Sequence, residues 1–179
     1  MRIPRRRVAA IALALLVSCG APAAERTATL HEITAQGEAG AVGTITFTDT
    51  AHGLLVTPDM QGLASGGAHG MHIHARGDCG PREGSHGHAM AGGAAGGHYD
   101  PDDTQRHEGP YGEGHLGDLP NLIVAADGAA TISVLAPRPT VADLDGRAVM
   151  VHGAADHYDG HGDHEHGKGG VRMYCGVIE

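Results

Sequence analysis

The sequence predicts an all-β fold, an antiparallel sandwich or barrel of about eight strands. Three observations carry that prediction. Short alternating or β-branched stretches recur along the chain, and no long apolar pattern of helical period accompanies them. Turn formers are abundant, with 30 Gly and 9 Pro among 179 residues, a composition that disfavours long helices and suits many loops. The core must be aliphatic, because apolar content is 41% with one Phe and no Trp.

The elements follow in order. Residues 27–35 form a first strand, with Ala28, Leu30 and Ile33 as inward candidates. Residues 42–48 are rich in β-branched side chains and form a second. A third runs over 53–57 and ends at Pro58-Asp59; a fourth covers 70–75. Stretches at 122–125, 131–135, 148–151 and 171–178 complete the set, punctuated by the turn signals Asp127-Gly128 and Asp145-Gly146. Two segments break the rhythm: 77–120, with Gly, Pro, His and charge but no strand pattern, and 153–170, rich in Gly, His and Asp. Loops this long in a compact domain are functional or disordered as a rule, and something besides a hydrogen-bond ladder must order them. A metal and a disulfide are the candidates.

The first eighteen residues read as a leader. Arg2, Arg5, Arg6 and Arg7 make a positive start, and Val8 to Val17 is an apolar run too short to span a bilayer. Leu16-Val17-Ser18-Cys19 resembles the lipobox of bacterial lipoproteins, which implies cleavage before Cys19 and a diacylglycerol on its thiol. The alternative is ordinary cleavage near Ala21-Pro22-Ala23-Ala24. Either route places the domain outside the cytoplasm. The expected organisation is a leader over 1–18, a tether over 19–26 that carries the lipid and so a membrane contact, and one domain over 27–179.

Charge narrows the partners. Twelve basic against 21 acidic residues give −9; without the four leader arginines, 8 against 21 leave −13. No basic patch survives, which argues against nucleic acid. An anionic substrate would need a local positive funnel. With Cys19 lipidated, Cys79 and Cys175 remain, either paired in an oxidising compartment or as two reduced thiols.

Histidine points to metal. There are 15, most of them between Gly67 and Gly167, and a neutral imidazole is the commonest side-chain metal ligand. His72 and His74 flank Ile73 and share one face of a strand, with Met71 and Ile73 on the other. A polar strand face would also explain that pair. His98, His107, His115 and Asp118 match the donor types of a closed four-coordinate zinc site, or else are incidental to a solvated loop. On the strand at 148–152, Ala148, Met150 and His152 share a side.

Taken together, His72-Ile73-His74, Gly96-Gly97-His98-Tyr99-Asp100-Pro101, His107, His115-Leu116-Gly117-Asp118, Met150-Val151-His152 and Arg172-Met173-Tyr174-Cys175-Gly176-Val177-Ile178 resemble the bacterial copper–zinc superoxide dismutases. The likeness runs from about Thr27 to Ile178. It implies a Greek-key barrel with two long functional loops, one copper and one zinc. It makes His72, His74, His98 and His152 the copper ligands, and His98, His107, His115 and Asp118 the zinc ligands, the ring of His98 bridging the two. It implies that Arg172 guides superoxide, that Asp156 hydrogen-bonds His72 and His107 from behind, that His69 is structural, and that Cys79 pairs with Cys175. The implied activity is dismutation of superoxide to dioxygen and hydrogen peroxide at a cycling copper, protecting the periplasm and cell envelope. Monomer and homodimer both remain open. A non-catalytic copper- and zinc-buffering lipoprotein is the rival reading, but a buffer needs no guiding arginine.

One segment departs from the pattern. His157, His161, His164 and His166 crowd a loop that flanks the copper channel in this family. Either they form an auxiliary metal-collecting site or the loop is simply hydrophilic.

Overall fold

The computed structural model describes residues 23–64, 66–84, 87–159 and 169–179. Strands dominate, and helix among the described residues is confined to two 3-10 turns, Gly93–Ala95 and Val141–Leu144. Three long strands lead the chain: β1 (Glu25–Thr34), β2 (Gly37–Thr50) and β3 (Gly53–Met60). Short strands follow: β4 (Gly67–His69), β5 (Met71–His74), β6 (Arg82–Glu83), β7 (Ala89–Met90), β8 (Leu122–Val124) and β9 (Val134–Ala136). The chain closes with β10 (Ala148–His152) and β11 (Arg172–Val177). Seven strands form a curled antiparallel sheet in the order β5-β10-β11-β1-β2-β3-β9; β4-β8 and β6-β7 make two small pairs. This is the all-β barrel that the sequence predicts.

Alternation along the strands decides which face is core. Ile45 and Phe47 of β2, Leu54 and Val56 of β3, and Met71 and Ile73 of β5 meet in one apolar cluster, joined by Leu122 and Val124 from β8. Phe47 is fully buried there, and truncation of such a ring to Ala costs about 3–5 kcal/mol. A second, smaller cluster holds Ile33, Cys79, Ala95, Ala148, Met150 and Cys175. Ala28 and Leu30 face the first cluster but Ile33 faces the second. The register shifts on either side of His31 explain the change of parity, because a bulge re-aims the residues beyond it.

Four local expectations are corrected. β3 does not stop at Pro58 but continues to Met60, with Ile45 opposite Pro58. The Met60 N–H points to Ala130, so the nitrogen of Pro58, two residues back, faces the same side. There it sits between the Val56–Val134 pair and the Met60–Ala130 bridge, where no ladder bond is lost. The strand expected at 70–75 is β5, shortened to Met71–His74, and a further strand that the sequence did not announce, β4, precedes Gly70 and joins a different sheet. The strand expected at 131–135 lies at Val134–Ala136. The loop at 77–120 is irregular except for the tiny β6-β7 hairpin and one 3-10 turn.

Candidate metal centre

The strands aim most of the first histidines. On β5, Met71 and Ile73 enter the core, so His72 and His74 project from the opposite face. β10 lies beside β5, with Met150 opposite His72. A register shift after Val151 sets His152 opposite Arg172 on β11. His98 and Asp118 arrive differently: their loop segments dock along the free edge of β5. Tyr99 N–H donates to Ile73 O at 2.8 Å, Ile73 N–H to Gly117 O at 2.8 Å, and Ala75 N–H to Gly97 O at 3.0 Å. Gly117 permits this approach, since a Cβ there would stand 2.3 Å from Ile73 O.

Two groups of donors result. Ligand atoms of His72, His74, His98 and His152 lie within 4.8 Å of one another, and so do those of His72, His98, His107 and Asp118. The rings of His72 and His98 stack with centroids 3.9 Å apart. Four of the histidines are each fixed through one nitrogen. His72 Nε2 meets Asp156 Oδ2 at 2.6 Å and His107 Nε2 meets Asp156 Oδ1 at 2.7 Å. His74 Nδ1 donates to Gly96 O at 2.9 Å and His152 Nδ1 to Gly170 O at 2.9 Å.

The remaining atoms form a pattern. Buried without a hydrogen-bond partner are His72 Nδ1, His74 Nε2, His152 Nε2, His107 Nδ1, His115 Nδ1 and Asp118 Oδ2. Six orphaned acceptors in so small a volume would be costly unless a shared cation satisfied them. His107 Nδ1 and Asp118 Oδ2 are only 2.9 Å apart, yet they are not aligned as a hydrogen bond; both are free to face one ion. His115 Nδ1 stands 3.4 Å from Asp118 Oδ1. His98 Nδ1 lies 2.8 Å from Asp118 Oδ1, which leaves its Nε2 for the first group. The all-imidazole set suits copper, and the nitrogen-plus-carboxylate set suits zinc. The residues present fit both ions.

Electrostatics favour the ligand forms. Burial pushes His74 well below the usual imidazole range, and the nearby Arg172 guanidinium adds to the effect. Burial and His72 do the same to His98. Burial lowers His72, partly offset by its hydrogen bond to Asp156. Burial and His72 take His152 to about 3. His107 is the exception: burial works against its charge, but Asp118 and Asp156 raise it to about 9. For Asp118 and Asp156 burial favours the neutral acid, yet the surrounding histidines hold both carboxyls well below the usual range.

Arg172 flanks the first group. Its guanidinium donates to Gly92 O at 2.6 Å and Gly96 O at 2.7 Å, so Gly96 O holds both Arg172 and His74. With Arg82, Glu83, Met90, Gly93, Gly96 and Gly97 it lines a pocket of about 360 Å³. The Cys79–Cys175 disulfide ties this loop to β11 with Cα atoms 5.7 Å apart. Its 96-residue separation corresponds to about 4–5 kcal/mol in the chain-entropy account.

Of the residues singled out from sequence, His72, His74, His98, His107, His152 and Asp118 come together in the two groups. His115 and Asp156 touch them, and His69 stays apart, its Nδ1 on His152 O at 2.7 Å. His157 is exposed and outside both groups. Cys19, His161, His164 and His166 lie outside the described residues. Sequence reasoning missed three supports. Asn121 exchanges two hydrogen bonds with the backbone of Asp156, at 2.9 and 3.0 Å. Arg138 donates to the carbonyls of Pro110, Gly114 and His115. Tyr158 packs on Gly109 beside His107. All three act across long sequence separations, and no local pattern marks them.

Fold and site together define a binuclear metalloprotein on an antiparallel β-barrel. Comparison with known proteins narrows the class. The family described as copper/zinc superoxide dismutase (SODC) matches residues 41–178. The copper–zinc superoxide dismutase of Escherichia coli K12 is 43% identical over 175 residues, covering 97% of this chain and 99% of that one. That of Legionella pneumophila is 47% identical over 139 residues, 78% of each chain. Among solved structures, the Brucella abortus enzyme superposes with a TM-score of 0.82 at 39% identity, over 87% of this chain and all of that one. The monomeric enzyme of Salmonella enterica gives 0.74 at 44% identity, with the same coverage. The chain belongs to the copper/zinc superoxide dismutase family. It is an oxidoreductase of that family, with copper and zinc as its metals.

Proposed function

We propose that this chain dismutes superoxide in the cell envelope, with the roles of its residues set by the two donor groups. The observation that carries this reading is the set of six buried, unpartnered ligand atoms: five belong to an all-imidazole and a mixed group, and the sixth, His115 Nδ1, stands 3.4 Å from Asp118 Oδ1. His72 Nδ1, His74 Nε2 and His152 Nε2 hold copper together with His98. His107 Nδ1, His115 Nδ1 and Asp118 Oδ2 hold zinc, with His98 as the shared ring. Bound copper would supply one-electron redox chemistry that turns two superoxide anions and two protons into dioxygen and hydrogen peroxide.

The remaining roles belong to the protein. Asp156 fixes the ring orientation of one ligand from each group, as carboxylates behind metal-bound histidines do. His98 Nδ1 lies on the zinc side beside Asp118, so Nε2 is the ring atom that faces the copper group and can take a proton there. Arg172 stays charged at any relevant pH and supplies the local attraction that a chain of net charge −9 otherwise lacks.

The leader over 1–18 and the lipobox-like run at Cys19 support export and a lipid anchor, with the domain over 27–179 held at a periplasmic membrane face. The histidines of 157–166 support an auxiliary metal-collecting role. Pulsed superoxide consumption by protein loaded with one copper and one zinc tests the activity: rapid, chelator-sensitive decay is expected, and decay no faster than buffer at full loading would remove the reading. Mass spectrometry of the membrane fraction tests the anchor through a diacylglycerol adduct on Cys19.

A further inference from the structure

Tyr158 is held in a way that its local sequence does not require. Its φ is 54°, the left-handed region that a bulky side chain enters only when its surroundings enforce it. Three contacts do so. Its backbone N–H donates to Asp156 Oδ1 at 3.1 Å, the same oxygen that receives His107 Nε2 at 2.7 Å. Its hydroxyl donates to Leu119 O at 3.2 Å, one residue beyond Asp118. Its ring lies on Gly109, where a Cβ would stand 2.6 Å from Tyr158 Cγ and Cδ1.

The ring therefore occupies space that any other residue at 109 would fill, with its centroid 6.3 Å from that of His107. His107 is 1% exposed. Burial and the Asp156 charge both raise the Tyr158 hydroxyl, so it stays a neutral donor. Asn121 grips the backbone of Asp156 from the other side. Asp156 is thus clamped between Asn121 and Tyr158, and the seam between the 107–109 loop and the 119–121 segment is closed by one aromatic ring.

We propose that Tyr158 is a positioning residue for the zinc side of the centre: it closes His107 against water and holds Asp156 Oδ1 on His107 Nε2, so that zinc leaves slowly. The inference rests on the zinc assignment given above. Partners behind metal ligands commonly change metal affinity by about 10–100-fold when removed, and Tyr158 acts one step further out, through Asp156 and by excluding water.

The test uses the full chain loaded with copper and zinc and measures zinc release to an excess of a colorimetric chelator. Tyr158→Gly removes the ring while accepting the left-handed backbone; Tyr158→Phe keeps the ring and loses the hydroxyl. Release about tenfold faster or more in the glycine variant, with the phenylalanine variant within about threefold of wild type, is expected. The visible copper spectrum should stay unchanged before release begins. Equal release rates in all three proteins would overturn the proposal. So would an equal loss of thermal stability in metal-free and metal-loaded Tyr158→Gly, which would mark the residue as merely structural. If the glycine variant does not fold, Tyr158→Asn, which also tolerates positive φ, takes its place under the same criteria. Failure of the wild-type protein to retain one tight zinc would instead defeat the zinc assignment itself, before any variant is compared.

Discussion

The two halves of the centre are built by different means. His72, His74 and His152 stand on β5 and β10, where the sheet ladder and the core beneath fix each backbone position. His107, His115 and Asp118 sit in irregular chain, held by side-chain clamps: Asp156 on His107, Arg138 on three loop carbonyls, and Tyr158 on Gly109. The strand side would keep its geometry without an ion, whereas the loop side needs one, since a loop rich in Gly and charge buries little apolar surface of its own. A redox site gains from ligands that hold still through turnover. An ion without redox chemistry can serve as the fastener of the loop that carries the shared ring.

Removal of both metals tests this contrast most sharply. Activity should vanish, and amide exchange should accelerate across 100–118 while β5 and β10 keep their protection. Equal acceleration in both regions, read by mass spectrometry, would break the distinction. Next in size is Arg172→Ala. It should lower superoxide consumption by roughly tenfold or more through lost attraction, with copper and zinc content unchanged by elemental analysis.

Arg138→Ala probes the loop side. Losing a charged donor to loop carbonyls should destabilise the zinc-loaded protein by about 2 kcal/mol. That corresponds to a melting point about 4–8 °C lower, with the copper spectrum intact.

The smallest effect is a difference in sign with pH in the metal-free protein. His74, His98 and His152 are depressed by burial. Their contribution is present above the unfolded value of about 6.5 and is lost as pH falls, for His152 down toward about 3. His107 is raised to about 9, so its contribution is present below about 6.5 and is lost as pH rises through 9. Thermal melts across pH should therefore show decline on both flanks, and Asp118→Asn should flatten the alkaline one. An alkaline flank unchanged in that variant would detach His107 from Asp118.

How much of this was legible depends on the distance over which the cause acts. Parity within Met71-His72-Ile73-His74 is a local property, and both its core face and its site face were readable. The β-branched run at 42–48 likewise announced β2. Pro58 misled because its tolerance depends on where β9 begins, some 76 residues away in chain terms from Thr57 to Ser133, which share a hydrogen bond. The short β4 before Gly70 was hidden because Gly67-Ala68-His69 carries no strand pattern of its own. Arg138, Asn121 and Tyr158 were not legible: their partners lie 23–28, 35 and 39 residues away, and each residue type is ordinary in its own neighbourhood. Residue types alone suggested a zinc donor set and a paired-histidine face, but the full membership of the two groups came from the family pattern, for His98 and Asp118 reach β5 by backbone docking at a glycine rather than by periodicity.

The placement of β11 bears on how the molecule is made. Every other strand among the described residues precedes it, yet it lies between β1 and β10 within the sheet, carrying both Arg172 and Cys175. A chain emerging N-terminus first could therefore form its early hairpins and still leave a gap that only its final strand fills. Sulfur pairing and the anion guidance proposed for Arg172 would then be acquired in the same closing move.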